Sequence, residues 1–142
     1  MGLLRAHEVA HSIFDVDYSR LWASGKRAVI FDLDNTLGER RASKLRPDVR
    51  KLLDDLRARG FRVGVLTNRR WRSVETLIVE LGPEMPLVRM AHKPSRKGYA
   101  TLLARLGVSA AETVMIGDRT LTDVFGANRC GIHSIRVSGF SS

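Results

Sequence analysis

The chain has 142 residues, 44% apolar and 27% charged, a balance that suits one folded domain with a sizeable core and excludes a disordered chain. Its 24 Lys and Arg against 15 Asp and Glu leave a net charge of +9, so an anionic partner is expected: nucleic acid, acidic lipid or a phosphorylated molecule. No apolar run approaches the ~20 residues of a membrane-spanning helix, no secretory leader is expected, and the lone Cys130 leaves no internal disulfide and makes the cytoplasm the default compartment.

Over residues 1–26, short apolar patches around Leu3, Val9, Ile13 and Leu21 predict one or two helical turns against a sheet, the second stopped by Gly25. His7 and His11 stand four apart, but with no further ligand nearby they read as surface or packing histidines. Residues 28–33 are a first buried strand that runs into Asp32 and Asp34. Pro47 opens a helix with Val49, Leu52, Leu53 and Leu56 at helical spacing, closed by Gly60. Residues 61–66 form a second strand ending at Thr67 and Asn68. The next helix carries Trp71, Val74, Leu77, Ile78 and Leu81 up to Gly82 and Pro83.

A third strand over 87–90 leads to Lys93 and Pro94, and a helix from about Ser95 presents Tyr99, Leu102, Leu103 and Leu106 before Gly107. Ser109 and Glu112 have the spacing of a capping box. A fourth strand over 114–116 delivers Gly117 and Asp118; 120–129 reads as a helix with Leu121, Val124 and Phe125 inward, and 132–137 is a last strand. Five strands alternating with helices predict a doubly wound, Rossmann-like α/β domain spanning 1–142, its parallel sheet covered by helices on both faces. In such a fold the loops after the strands meet at one edge of the sheet, where ligands bind.

The polar residues at those strand ends are the informative ones. Alternation sends Asp32 and Asp34 to one side, where two carboxylates repel unless a cation or a proton lies between them. A hard divalent cation such as Mg²⁺ takes oxygen ligands of this kind. Each residue also has a plain reading: aspartate as a turn former, Thr67 as a helix cap, Lys93 as a solvated lysine. Twelve basic residues and three acidic ones fall between Arg40 and Arg72, an excess that is either a solubilising face or an anion-attracting one.

Taken in order, Asp32-Leu33-Asp34-Asn35-Thr36, Leu66-Thr67-Asn68, Lys93-Pro94 and Gly117-Asp118 with Asp123 resemble the four motifs of the haloacid dehalogenase (HAD) superfamily of phosphohydrolases. The early Ile13-Phe14-Asp15-Val16-Asp17, His92-Lys93-Pro94 and the run from Gly117 to Arg129 resemble its YqeG-type branch, related to phosphatidylglycerophosphate phosphatases. The resemblance implies a phosphatase in which Asp32 attacks phosphorus to give an aspartyl-phosphate and Asp34 is the general acid and base, its pKa raised for that work. It implies Mg²⁺ on the carboxylates of Asp32 and Asp118 and the carbonyl of Asp34, with Asp123 behind them. Thr67, Asn68 and Lys93 would hold the phosphate oxygens. An aspartate nucleophile has the merit of being ionised at neutral pH.

Thirty residues separate Thr36 from Thr67 and twenty-five separate Thr67 from Lys93, too few for a cap domain over the site. An open site ringed by Arg40, Arg41, Lys44, Arg69, Arg70 and Arg72 suits a large anionic substrate, such as a lipid headgroup on the anionic inner face of a membrane. The resemblance makes phosphatidylglycerophosphate the favoured substrate. The alternatives are a sugar, nucleotide or protein phosphate, or a basic module that binds RNA or an anionic membrane without turnover; nucleic acid is not favoured, and the oligomeric state is open.

Overall fold

In a computed structural model, which describes residues 2–70 and 72–140, six parallel strands form one sheet. In chain order the elements are β1 (Glu8–Ala10), α1 (Tyr18–Ala23), β2 (Ala28–Phe31), α2 (Pro47–Ala58), β3 (Arg62–Leu66), α3 (Arg72–Leu81), β4 (Leu87–Val88), α4 (Arg96–Leu106), β5 (Thr113–Gly117), α5 (Gly126–Arg129) and β6 (His133–Val137). The strands lie in the order β1-β6-β5-β2-β3-β4. The chain winds from β2 outward through β3 and β4, then returns to β5 on the other side of β2 and continues through β6. The winding therefore reverses between β2 and β5, which is where an open parallel sheet leaves a crevice beyond its strand ends.

Alternation along each strand builds two cores. Val29 and Phe31 of β2, with Val63, Val65, Val114 and Ile116, pack under α1, α2 and α3. Ala28 and Ile30, with Leu66 and Met115, face α4 and α5 through Tyr99, Leu102, Leu106 and Ala127. Helices thus cover both faces, as the sequence predicts. Both α2 and α4 end where expected, with Gly60 at φ 103° and Gly107 at φ 67°, and Ser109 with Glu112 forms its capping box.

Two departures belong to the first strand and to the last helix. The N-terminal patch around Val9 is not a helical turn but β1, which extends the sheet by pairing with β6 in the register Val9↔Arg136. Three residues, with Val9 and Ala10 apolar side by side, are too short to show a period of two, and pairing to β6 decides their conformation. The predicted helix over 120–129 is a π-helical segment, Thr120–Phe125, continued by α5. Its wider winding turns Asp123 and Val124 inward and leaves Leu121, expected to be buried, 61% exposed. Trp71, expected on α3, lies outside the described residues, and no helix among them is long and apolar enough to cross a membrane.

Candidate active site

The register between β2 and β5 pairs Phe31 with Ile116, so the chain leaves both strands at one level, with Asp32 on one and Asp118 on the other. The Asp32 N–H donates to the Ile116 carbonyl at 2.9 Å, which extends the ladder one residue past β2 and fixes the aspartate over the switch point. On the far side of β2, β3 delivers Thr67, whose side chain is buried and whose Oγ1 accepts the Arg69 N–H at 3.1 Å. Lys93 arrives from the loop after β4. Its main chain is clamped by the Asn68 amide, which accepts the Lys93 N–H at 2.7 Å and donates to the Lys93 carbonyl at 3.3 Å. Asn68 lines the cleft, but its side chain works on Lys93.

The lysine ammonium donates to Asp32 Oδ1 at 2.6 Å and to Asp123 Oδ1 at 2.7 Å, tying three separate segments of the chain together. Asp123 is fully buried against the end of β5, and its Oδ2 accepts the Arg119 N–H at 3.1 Å. Only glycine at 117 permits this approach, because a Cβ there would stand 2.3 Å from Asp123 Oδ2. Tyr99, read from sequence as a plain apolar position of α4, also carries part of the site. Its hydroxyl donates to the Thr122 carbonyl at 2.8 Å and so holds the π-helical segment in place. No spacing signal distinguishes such a tyrosine from a core residue.

Oxygens of Asp32, Asp118 and Asp123 lie within 4.8 Å of one another. Asp118 Oδ1 is buried and, with Thr36 Oγ1, lacks a hydrogen-bond partner among the described residues. Burial, reinforced by the charge of Asp123, outweighs the pull of Lys93 and pushes the Asp32 carboxyl up to about 7. The same two causes raise Asp118. Burial would lower Lys93, but the charges of Asp123 and Asp32 prevail and hold the ammonium above its ordinary value. Crowded carboxylate oxygens, one without a partner, are the donor set of a hard divalent cation.

Asp34 behaves differently from expectation. The strand ends at Phe31 and the chain turns through Asn35 at φ 60°, so strand alternation does not govern Asp34. Its carboxylate stands outside the acidic trio, bound by Arg69 Nε at 3.0 and 3.1 Å and by the Arg41 N–H at 2.8 Å. Burial pushes the Asp34 carboxyl up, but Arg69, the Arg41 N–H and the charge of Arg40 outweigh it and hold it below the ordinary carboxylate value. The two aspartates are thus tuned opposite to the expectation from sequence: Asp32 upward and Asp34 downward.

Both aspartates open onto one cleft of about 500 Å³, together with Thr67, Asn68 and Lys93. Of the predicted basic ring, Arg40, Arg41 and Arg69 line it, joined by Arg119 and Thr122, which the sequence reading did not single out. Lys44 and Arg70 are exposed outside the lining, and the Arg72 side chain is not described. Arg69, expected on the rim, has a side chain only 8% exposed because it serves Asp34.

Comparison with known proteins agrees with this geometry. The family described as haloacid dehalogenase-like hydrolase matches residues 38–131, which take in Thr67, Lys93, Asp118 and Asp123. "Probable phosphatase YqeG" of Bacillus subtilis (strain 168) is 31% identical over 130 residues, 92% of this chain and 74% of that one. "Phosphatidylglycerophosphate phosphatase 1, chloroplastic" of Chlamydomonas reinhardtii is 33% identical over 143 residues, 96% of this chain and 53% of that one, so the chain spans about half its length. Among solved structures, an uncharacterized protein from Listeria monocytogenes serotype 4b shares the fold with a TM-score of 0.67 at 20% identity, over 82% of each chain. The chain belongs to the haloacid dehalogenase-like hydrolase family, among its phosphatases.

Proposed function

We propose that the protein is a Mg²⁺-dependent phosphomonoesterase with Asp32 as nucleophile and phosphatidylglycerophosphate as its favoured substrate. The carrying observation is the meeting of Asp32 with Asp118, Asp123 and Lys93 at the β2–β5 switch point. One Asp32 oxygen attacks phosphorus and forms an acyl phosphate while the leaving alkoxide takes a proton from Asp34. Asp34, then ionised, takes a proton from water as that water cleaves the acyl phosphate, releasing inorganic phosphate and restoring Asp32. Thr67 and Lys93 face the non-bridging oxygens and stabilise their charge.

Asp32 and Asp118 would hold the cation, with Asp123 steadying them and Lys93. Bound there, Mg²⁺ would cancel repulsion between carboxylate and phosphate and draw the Asp32 pKa back down. Asp34 starts paired with Arg69, so its acid role requires that pair to open. An entering phosphate dianion competes for the same guanidinium, which couples substrate arrival to release of the acid.

The substrate assignment rests on similarity to the chloroplastic phosphatidylglycerophosphate phosphatase. A panel of phosphate esters, with a lipid phosphate in micelles among them, tests the reading with Mg²⁺ and with chelator. Metal-dependent release of phosphate, greatest from the lipid, is expected; hydrolysis insensitive to chelator would contradict it.

A further inference from the structure

Resting on the phosphatase reading, we infer that the cleft holds a second anion subsite, formed by Arg40, Arg41 and Arg119, for one further negative charge on the leaving group. The cleft is of a size that takes whole small molecules, which run ~300–1,000 Å³, rather than a phosphoryl group alone. Its cations fall into two sets. Lys93 is matched by Asp32 and Asp123, and Arg69 by Asp34. Arg40, Arg41 and Arg119 line the same cleft, are exposed and form no salt bridge among the described residues, although the charge of Arg40 acts on Asp34 and that of Arg119 on Asp118.

On the phosphatase reading the phosphoryl group, about −2 at neutral pH, is met by Lys93, Thr67 and the cation. That leaves these three guanidiniums for a further anionic group. Arg40 and Arg41 come from the loop after β2 and Arg119 from the segment after β5, so they reach the cleft from the two strands that meet at the switch point, beside Asp32. Guanidinium forks favour carboxylate and phosphate oxygens over neutral hydroxyls. The ligand is therefore a phosphomonoester whose alcohol carries a phosphodiester or carboxylate, whether that group belongs to a lipid headgroup or to a soluble metabolite.

Three substrates separate the sources: glycerol 1-phosphate, the soluble deacylated headgroup of phosphatidylglycerophosphate, and the intact lipid in neutral micelles. The deacylated headgroup should exceed glycerol 1-phosphate by about tenfold or more in kcat/KM, through KM rather than kcat. In the double variant Arg40→Gln/Arg119→Gln that ratio should collapse toward one, with Arg40→Lys recovering part of it. Thermal melts establish that the variants fold.

Equal use of the two soluble esters, or an unchanged ratio in the double variant, overturns the subsite. Preference for the intact lipid without preference for its headgroup also overturns it, since selectivity would then lie with the acyl chains. Should no ester be turned over, the phosphatase reading fails separately, and calorimetry on Asp32→Asn still decides the subsite. About tenfold tighter binding of the headgroup than of glycerol 1-phosphate would support it, and equal binding would refute it.

Discussion

Arg69 Nε donates to both oxygens of Asp34, at 3.0 and 3.1 Å, while the same guanidinium holds the Ala42 carbonyl at 2.8 Å. One buried arginine therefore orders the loop after β2 and restrains the proposed acid.

Arg69→Ala should leave Asp34 and the Ala42 carbonyl short of partners and destabilise the fold by ~1–3 kcal/mol. Arg69→Lys should recover only part of this, because an ammonium cannot span a carboxylate as a fork does. Urea denaturation of the two variants measures both effects; a neutral Arg69→Ala would show that the pair does not hold the loop.

Gly117→Ala places a methyl 2.3 Å from Asp123 Oδ2, closer than the two can stand. Displacing Asp123 should cost ~1–3 kcal/mol through overpacking and uncouple Lys93 from its second carboxylate. A melt should show a lowered Tm that Mg²⁺ no longer restores. An unaltered response to Mg²⁺ would mean that Asp123 is not needed to shape the acidic group.

Mg²⁺ at a hundredfold over its Kd should stabilise the protein by ~2.7 kcal/mol, and chelator should reverse the gain. Asp118→Asn removes one of the crowded buried charges, so without Mg²⁺ it should be no less stable than the parent, yet it should lose the Mg²⁺-dependent rise. Differential scanning calorimetry with and without the metal checks both halves. A parent protein indifferent to Mg²⁺ would refute the cation site.

Acid should loosen the edge of the sheet at β1. His7 stacks on His133 with ring centroids 4.7 Å apart and accepts the Ser134 N–H at 3.1 Å. Burial, then the charge of His133, lowers its pKa from 6.5, so its contribution is whole above pH 6.5 and is lost as pH falls through the folded value. For Glu8, hydrogen bonds from His133 and Arg20 outweigh burial and lower its pKa from 4.5, so its contribution is whole above pH 4.5 and is lost on further acidification. Tm should fall as pH drops from ~7 to ~5, and His7→Asn should flatten that fall. A pH-independent Tm over this window would contradict the assignment.

Most of the fold was legible because its signals are local and repeated. Glycine stops such as Gly60 and Gly107, helical spacing in α2 and α4, and apolar runs ending in Asp32 or Asp118 each act within a few residues. What stayed hidden depends on partners distant in sequence. β1 is a strand because β6 is beside it, and the π-helical winding that buries Asp123 rests on Tyr99 of α4. The tuning of Asp32 and Asp34 was hidden for the same reason, since Arg69 stands thirty-five positions from Asp34 and Lys93 sixty-one from Asp32.

Mass spectrometry of the protein, acid-quenched during turnover of p-nitrophenyl phosphate with Mg²⁺, puts the nucleophile to the most direct test. The peptide containing Asp32 should gain the mass of one phosphoryl group, and Asp32→Asn should lose both that adduct and the activity. Turnover at the parental rate in Asp32→Asn, or a phosphoryl adduct on another residue, would contradict it.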